Sequence, residues 1–381
     1  MIRVEYGKDK SLQSWYSNQM GKQILKNAIN MGSPPLKLKN LPNKIFQSIL
    51  SNLHKELSQI NLQVISDILL EDREILINRY GWIAEYTRLC DFLAFYRSMK
   101  NIKRDRNECK TLRINYLNRF SGDYLRAVID KIGENEEYFV SSWPKFEQLK
   151  QEADDFLKKV NEIIEKVFDY SMMEKKIRYE LYKKMDVSIC PYCGRQYIHM
   201  LSKDEGDSYL GDLDHFYPKI YYQLFSLSLW NLLPVCKPCN QLFKREQMDE
   251  FLNPLADGFD DDCIFIVNCQ DVQAMIGLND NFTLKWEIQQ YTSDLKANKI
   301  QKNIMLFQLD KVYQYHKQDV RILLKKRYLH SQNYFDKIDQ LLGGTSLSEE
   351  EKNCLIYGTS LNKNNFHKEM LGKMTYDVVK H

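Results

Sequence analysis

Two short cysteine pairs constrain this chain more than any other feature. CPYC puts Cys190 and Cys193 on one tight turn, and CKPC puts Cys236 and Cys239 on another. A C-x-x-C spacing brings two thiolates close enough to share a tetrahedral ion, and two such turns complete a closed four-thiolate zinc site. Zinc held in this way is structural, because no coordination position stays open for water. A redox C-x-x-C is the alternative, but that motif opens a helix in a βαβ unit and requires no second copy. Four unrelated cysteines would not be expected to fall into matched pairs. The other five, Cys90, Cys109, Cys263, Cys269 and Cys354, read as buried or incidental thiols. Nine cysteines in 381 residues are too few for a disulfide scaffold, and nine is odd. With zinc bound, residues 194–235 become a loop stapled at its base, which a small module with little core of its own needs.

The stapled loop holds GDLDHFYPK (211–219), then NLLPV (231–235), then CKPCNQLFKREQ (236–247). The first reads as the end of a short strand, YLGDLDHF, that stops at Pro218. The second reads as another strand. The third reads as a helix with Pro238 near its first turn, where proline is well tolerated. The order is strand, loop, strand, helix. Asp214 and His215 are adjacent, so a regular strand would point them to opposite faces. A bend or bulge would let both address one site. Asn240 opens the helix and Lys244 follows one turn later on the same face.

A carboxylate and an amide oxygen are hard ligands that suit Mg²⁺ or Mn²⁺. A neutral histidine beside them can take a proton from water. Asp214, His215 and Asn240 therefore suggest a one-metal site for phosphodiester hydrolysis, with His215 as general base. Lys244 and the helix N-terminus are expected to hold a phosphate. Taken singly, Lys219 and Lys244 each read as ordinary surface lysines, with phosphate binding the second reading for both. His199 reads as structural, and strand alternation makes Asp212 a weak option for the metal.

Helical periodicity flanks this module on both sides. In DDFLKKVNEIIEKVFDY, Phe156, Val160, Ile163, Ile164, Val167 and Phe168 recur at three- and four-residue steps. NKIFQSILSNLHKEL and WIAEYTRLCDFLAFYRSM carry a similar period. GSPPLKLKNLPN (32–43) reads as a loop. CIFIVN (263–268) and FTLKWEIQQ (282–290) read as strands. Ile300, Ile304, Phe307 and Leu309 mark a further helical stretch facing the core. Ser348 with Glu351 three residues on reads as a capping box after a Gly-Gly stop. The expected fold is therefore α+β and predominantly helical. Residues 1–185 form a helical region, 186–255 the zinc-stapled ββα module, and 256–381 a strand pair followed by helices.

Composition narrows the class. Apolar residues make up 44% and aromatics 12%, enough for a packed core. No run of eighteen apolar residues suggests a membrane span, and the N-terminus lacks a signal-peptide apolar stretch, so a soluble cytoplasmic protein is expected. The net charge of +3, from 54 basic and 51 acidic residues, neither demands nor excludes nucleic acid. The basic runs at 97–106 and 325–327 read first as solvated faces.

Taken together, C-x-x-C, D-H-F-x-P-K, W-N-L-L and C-x-x-C-N-x-x-x-K resemble the HNH endonucleases, the ββα-metal group. DHFYPK followed by WNLLPVCKPCNQLFK and FLNPLADGFDDDCIF looks most like the HNH component of Septu-type anti-phage systems. The resemblance covers roughly residues 188–265. It implies His215 as general base, Asp214 and Asn240 as holders of a catalytic Mg²⁺ or Mn²⁺, and the four cysteines as structural zinc ligands. It also implies that Asn231 fixes the loop carrying His215 through bonds to backbone. Many relatives carry histidine at the third motif position, where this chain has Asn240. The implied partners are a nucleic acid, DNA first, and an ABC-type ATPase, with no membrane. Two other readings stay open: an HNH nuclease acting on RNA, and a catalytically silent zinc-stabilised binding module.

Overall fold

A computed structural model describes residues 1–32, 44–95, 103–120, 122–201, 208–247, 250–330 and 347–381, with positions 334, 337 and 340. The described residues are mostly helical, with three small antiparallel strand pairs among them. The loop expected at 32–43 lies outside the described residues beyond Gly32, as do residues 97–102 of the basic run and the Gly-Gly stop. Among the described residues no helix is long and apolar enough to cross a membrane.

The N-terminal helices run α1 (Lys10–Met31), α2 (Lys44–Ser58), α3 (Leu62–Leu70), α4 (Arg73–Arg79), α5 (Gly81–Phe95), α6 (Asn107–Phe120), α7 (Asp123–Ile132), α8 (Glu136–Ser141), α9 (Trp143–Glu165) and α10 (Lys175–Met185). Their starts follow local chemistry. The side chains of Asp9, Asn61, Asp72 and Asn135 accept from backbone N–H groups in the first turns of α1, α3, α4 and α8. Pro144 sits in the first turn of α9, where its missing N–H costs nothing. The periodic stripe of α9 is buried from Phe146 through Phe156, Val160 and Ile164. Each such side chain contributes about 1.5–3 kcal/mol relative to exposure.

Six strands follow. β1 (Met200–Leu201) pairs with β2 (Ser208–Tyr209), β3 (Gly211–His215) with β4 (Leu232–Cys236), and β5 (Cys263–Cys269) with β6 (Phe282–Ile288). An isolated two-stranded pair is marginal in water, so each depends on what covers it. β6 alternates buried and exposed residues, with Phe282, Leu284 and Trp286 turned inward. β4 is different: all five of its residues are buried. Gly211 lets β3 approach β4, because a Cβ there would lie 2.5 Å from the Val235 carbonyl oxygen. A short π-helix, Pro238–Lys244, follows β4.

The C-terminal part adds α11 (Val272–Met275), α12 (Asp294–Leu306), α13 (Leu309–Tyr313), α14 (Lys317–Leu329), α15 (Glu349–Tyr357) and α16 (Gly372–Lys380). Ser348 and Glu351 form the expected capping box at α15. Ile300, Ile304, Phe307 and Leu309 are buried as expected. Of the basic run at 325–327, Arg327 turns inward and donates to the Val378 carbonyl at 2.6 Å.

One hydrophobic core runs through all three stretches, from Met1 to Val378. The consequence for the site lies in residues 216–231, between β3 and β4. The N-terminal helices hold this segment by its backbone. Tyr16 donates to Leu227 O at 2.7 Å, Tyr86 to Tyr221 O at 3.1 Å, and Asn161 to Ile220 O at 3.1 Å. Gln223 returns a bond to Phe168 O at 3.1 Å. A loop that would be free in an isolated module is here buried in a helical shell.

Candidate metal centre and active cleft

The four paired cysteines converge. Their Sγ atoms all lie within 4.8 Å of one another, and all four residues are buried. Cys193 and Cys236 Sγ are 4.0 Å apart. Thiolates at ~2.3 Å from a tetrahedral zinc sit roughly 3.8 Å from each other, so the cluster could hold a zinc ion with little movement. The first turn is built for this. Gly194, at φ +66°, follows Cys193 and donates to Cys190 O at 2.8 Å. Any other residue there would be strained by the positive φ. Ile189 and Tyr197 bridge across the turn's base. Tyr313, from α13, donates to Cys193 O at 2.7 Å. The second turn joins the end of β4 to the π-helix, so the cluster fixes that helix against the first turn. His199 is exposed and does not join the cluster.

β3 and β4 pair without interruption from Gly211↔Cys236 to His215↔Leu232. The bulge considered above is therefore absent. Asp214 and His215 still line one cleft of about 460 Å³, with Lys219, Asn240, Glu165 and Arg245 also in its wall. They reach it from the two faces of the strand end.

His215 is held in one tautomer. Its Nε2 lies 2.8 Å from Ser226 O. A carbonyl only accepts, so Nε2 carries the hydrogen and the neutral ring keeps its lone pair on Nδ1. Among the described residues only Nε2 of the ring has a hydrogen-bond partner. Burial pushes the imidazole down to about 4, which keeps it neutral at pH 7 despite the nearby Asp214. Tyr170, in the turn after α9, packs edge-on against the ring at 4.9 Å. Lys219 Nζ and the Arg178 guanidinium lie 5.1 and 5.6 Å from the Tyr170 ring centre.

Asn231 is fully buried immediately before β4. Its Oδ1 accepts from Tyr217 N at 2.7 Å, and its Nδ2 donates to Tyr217 O at 3.1 Å and Phe225 O at 2.9 Å. Its own backbone O accepts from Phe216 N at 2.9 Å. One side chain thus ties both ends of the segment that follows His215. Asn231→Ala is expected to leave Tyr217 N and O without their side-chain partner and to remove one of two bonds to Phe225 O, which still accepts from Ser228 N, lowering stability by about 1–3 kcal/mol. Urea unfolding checks this, and a loss under ~1 kcal/mol would contradict the tie.

Asp214 is 4% exposed, and both its oxygens are engaged. Tyr192 donates to Oδ2 at 2.7 Å, and Lys244 Nζ donates to Oδ1 at 3.1 Å. Lys244 also donates to His215 O at 2.7 Å. The phosphate-holding role expected of Lys244 does not fit this placement, because the side chain is fully buried and cannot meet a substrate from the cleft. Burial disfavours its charged form, and the Asp214 carboxylate opposes that shift. Lys244 is instead a strut between the π-helix and the Asp214-His215 pair. Asn240 Nδ2 donates to Asp212 Oδ2 at 3.0 Å, and Gln241 Nε2 donates to the same atom at 2.8 Å. Asp212 is thereby committed to the helix.

These donors fit a divalent cation. A carboxylate oxygen has two lone pairs, and each oxygen of Asp214 spends one in the bonds above. Asn240 spends its amide nitrogen and keeps Oδ1. One carboxylate and one amide oxygen lining the same cleft are the hard donors that a magnesium-type ion takes. The Lys244 charge beside Asp214 works against this, so the set favours modest affinity.

Glu165 and Arg245 in the cleft wall, and Tyr192 and Tyr170 beside Asp214 and His215, were not singled out from the sequence. Tyr192 lay inside CPYC, so its position was legible even though its role was not. Tyr170 carries no motif signal and reaches His215 only through tertiary packing. Comparison with protein-family models, curated proteins and solved structures finds no match for this chain.

Proposed function

We propose that this protein is a metal-dependent endonuclease of the HNH type, hydrolysing phosphodiester bonds in nucleic acid, with DNA the first candidate. The observation that carries the reading is His215: one ring nitrogen is pinned by a carbonyl, and the other holds a lone pair in a cleft shared with Asp214 and Asn240. In this reading Nδ1 of His215 takes a proton from the attacking water. Asn231 holds the backbone after His215, so the ring keeps its aim. Lys219 and Arg245, both in the cleft wall, meet the negative charge of the substrate backbone. Asp214 and Asn240 would hold a Mg²⁺ or Mn²⁺ ion, which would supply charge stabilisation at the scissile phosphate and leaving oxygen. Cys190, Cys193, Cys236 and Cys239 would hold a structural zinc ion, which would set the position of the π-helix.

The sequence resemblance to Septu-type systems supports a role as the nuclease effector of phage defence beside an ABC-type ATPase. Incubating the purified protein with plasmid DNA and with total RNA, with and without Mn²⁺, tests the reading. Mn²⁺-stimulated nicking or cutting of plasmid is expected. Cleavage of RNA alone would move the substrate to RNA. Binding without cleavage of either, with the ATPase partner present, would favour the silent binding module.

A further inference from the structure

We infer that Tyr192 is a positioning residue that couples the four-cysteine cluster to Asp214, so that the first cysteine turn sets the affinity of the Asp214-Asn240 pair for a divalent cation. The inference rests on the metal-site reading above and adds to it a residue that the HNH motif does not include. The Asp214 carboxylate is almost wholly buried, so water does not orient it. Two donors do, one on each oxygen, and they come from different elements. Tyr192 belongs to the first cysteine turn, between Cys190 and Cys193. Lys244 ends the helix in which Cys239 lies. The distance between the two turns, which the cysteine cluster fixes, therefore sets the plane of the carboxylate.

Tyr192 has little freedom to do anything else. It is fully buried, and its ring stacks on Phe307 at 4.5 Å and meets Phe251 edge-on at 6.3 Å. Phe307 and Phe251 come from outside the Cys190–Lys244 segment, so the rest of the fold braces the ring. With the ring held on two sides, the hydroxyl points at one carboxylate oxygen, on a residue that lines the cleft. Groups that hold a metal ligand in this way typically change metal affinity 10- to 100-fold when removed, as a rough range.

The test measures Mn²⁺ binding by electron paramagnetic resonance on full-length, zinc-loaded protein, comparing the parent, Y192F and D214N. Tyr192→Phe removes the hydroxyl and keeps the ring. The expected result is a rise of roughly 10-fold or more in the Mn²⁺ dissociation constant for Y192F, with zinc content unchanged, and cleavage recovering as Mn²⁺ is raised. D214N is expected to lose binding altogether. If D214N loses Mn²⁺ but Y192F binds it as the parent does, the coupling through Tyr192 is wrong and the metal site stands. If D214N also binds as the parent does, the metal-site reading fails and this inference fails with it. Should Y192F lose zinc, Phe307→Leu takes its place, since it loosens the ring and keeps the hydroxyl. Weaker Mn²⁺ binding in F307L supports the coupling, and unchanged binding overturns it.

Discussion

His215→Ala is expected to cut plasmid cleavage by roughly 10²–10⁴-fold at saturating Mn²⁺, the usual range for loss of a general base. The protein should remain folded. The imidazole's sole hydrogen bond among the described residues is to Ser226 O. The Asn231 bonds that hold the same segment do not involve the ring. Zinc content and the thermal melt should therefore match the parent closely. His215→Gln sharpens the comparison, because an amide can still bond the carbonyl but cannot accept a proton usefully at neutral pH. Both variants should be inactive under conditions where Lys219→Ala retains measurable cutting. If His215→Ala cleaves at the parent rate, the base lies elsewhere and the endonuclease assignment to this cleft is wrong.

The chemistry-bearing residues were legible in the sequence because they sit close together along it and obey local rules. The C-x-x-C spacing predicted the cysteine cluster, and the cysteines do converge. Strand, loop, strand and helix follow in the expected order, and Asn231 bonds backbone as expected. What was not legible depends on contacts distant in sequence. An i, i+4 argument placed Lys244 on the face of Asn240, but it carries no information about depth. Only the packed structure shows Lys244 buried against Asp214. Tyr170 reaches His215 because α9 and the turn after it pack under the loop, and no local pattern encodes that. The same holds for the bonds from Tyr16, Tyr86 and Asn161 into residues 220–227. The sequence marked residues 1–185 as helical but could not show that they mould the loop beside the candidate base. Hydrophobic patterning tolerates replacement in kind across much of the helical shell, whereas Tyr16, Tyr86 and Asn161 hold the loop backbone through polar atoms that an apolar residue lacks.

Cys239→Ser is expected to have the other large effect. The purified parent should carry one zinc per chain, and the variant should lose most of it. Structural zinc contributes about 10–16 kcal/mol of apparent binding free energy in small modules, while whole domains are stable by only about 5–15 kcal/mol. Losing that contribution should melt at least the Cys190–Lys244 segment. Cys239 matters doubly because it lies in the helix that also carries Asn240 and Lys244. Its release would free the strut on Asp214 and the cleft wall together, so cleavage should vanish with the zinc. The N-terminal helices have their own buried stripes, including that of α9, and should keep much of their helical signal. Atomic absorption for zinc, near-ultraviolet circular dichroism for the aromatic packing around Tyr192 and Trp230, and far-ultraviolet dichroism for the helices separate these outcomes. Cys354→Ser is the control, since that thiol is exposed and lies outside the cluster. A Cys239→Ser protein that holds zinc and melts with the parent would show that the four sulfurs converge without an ion, and the cluster would then be a packing feature only.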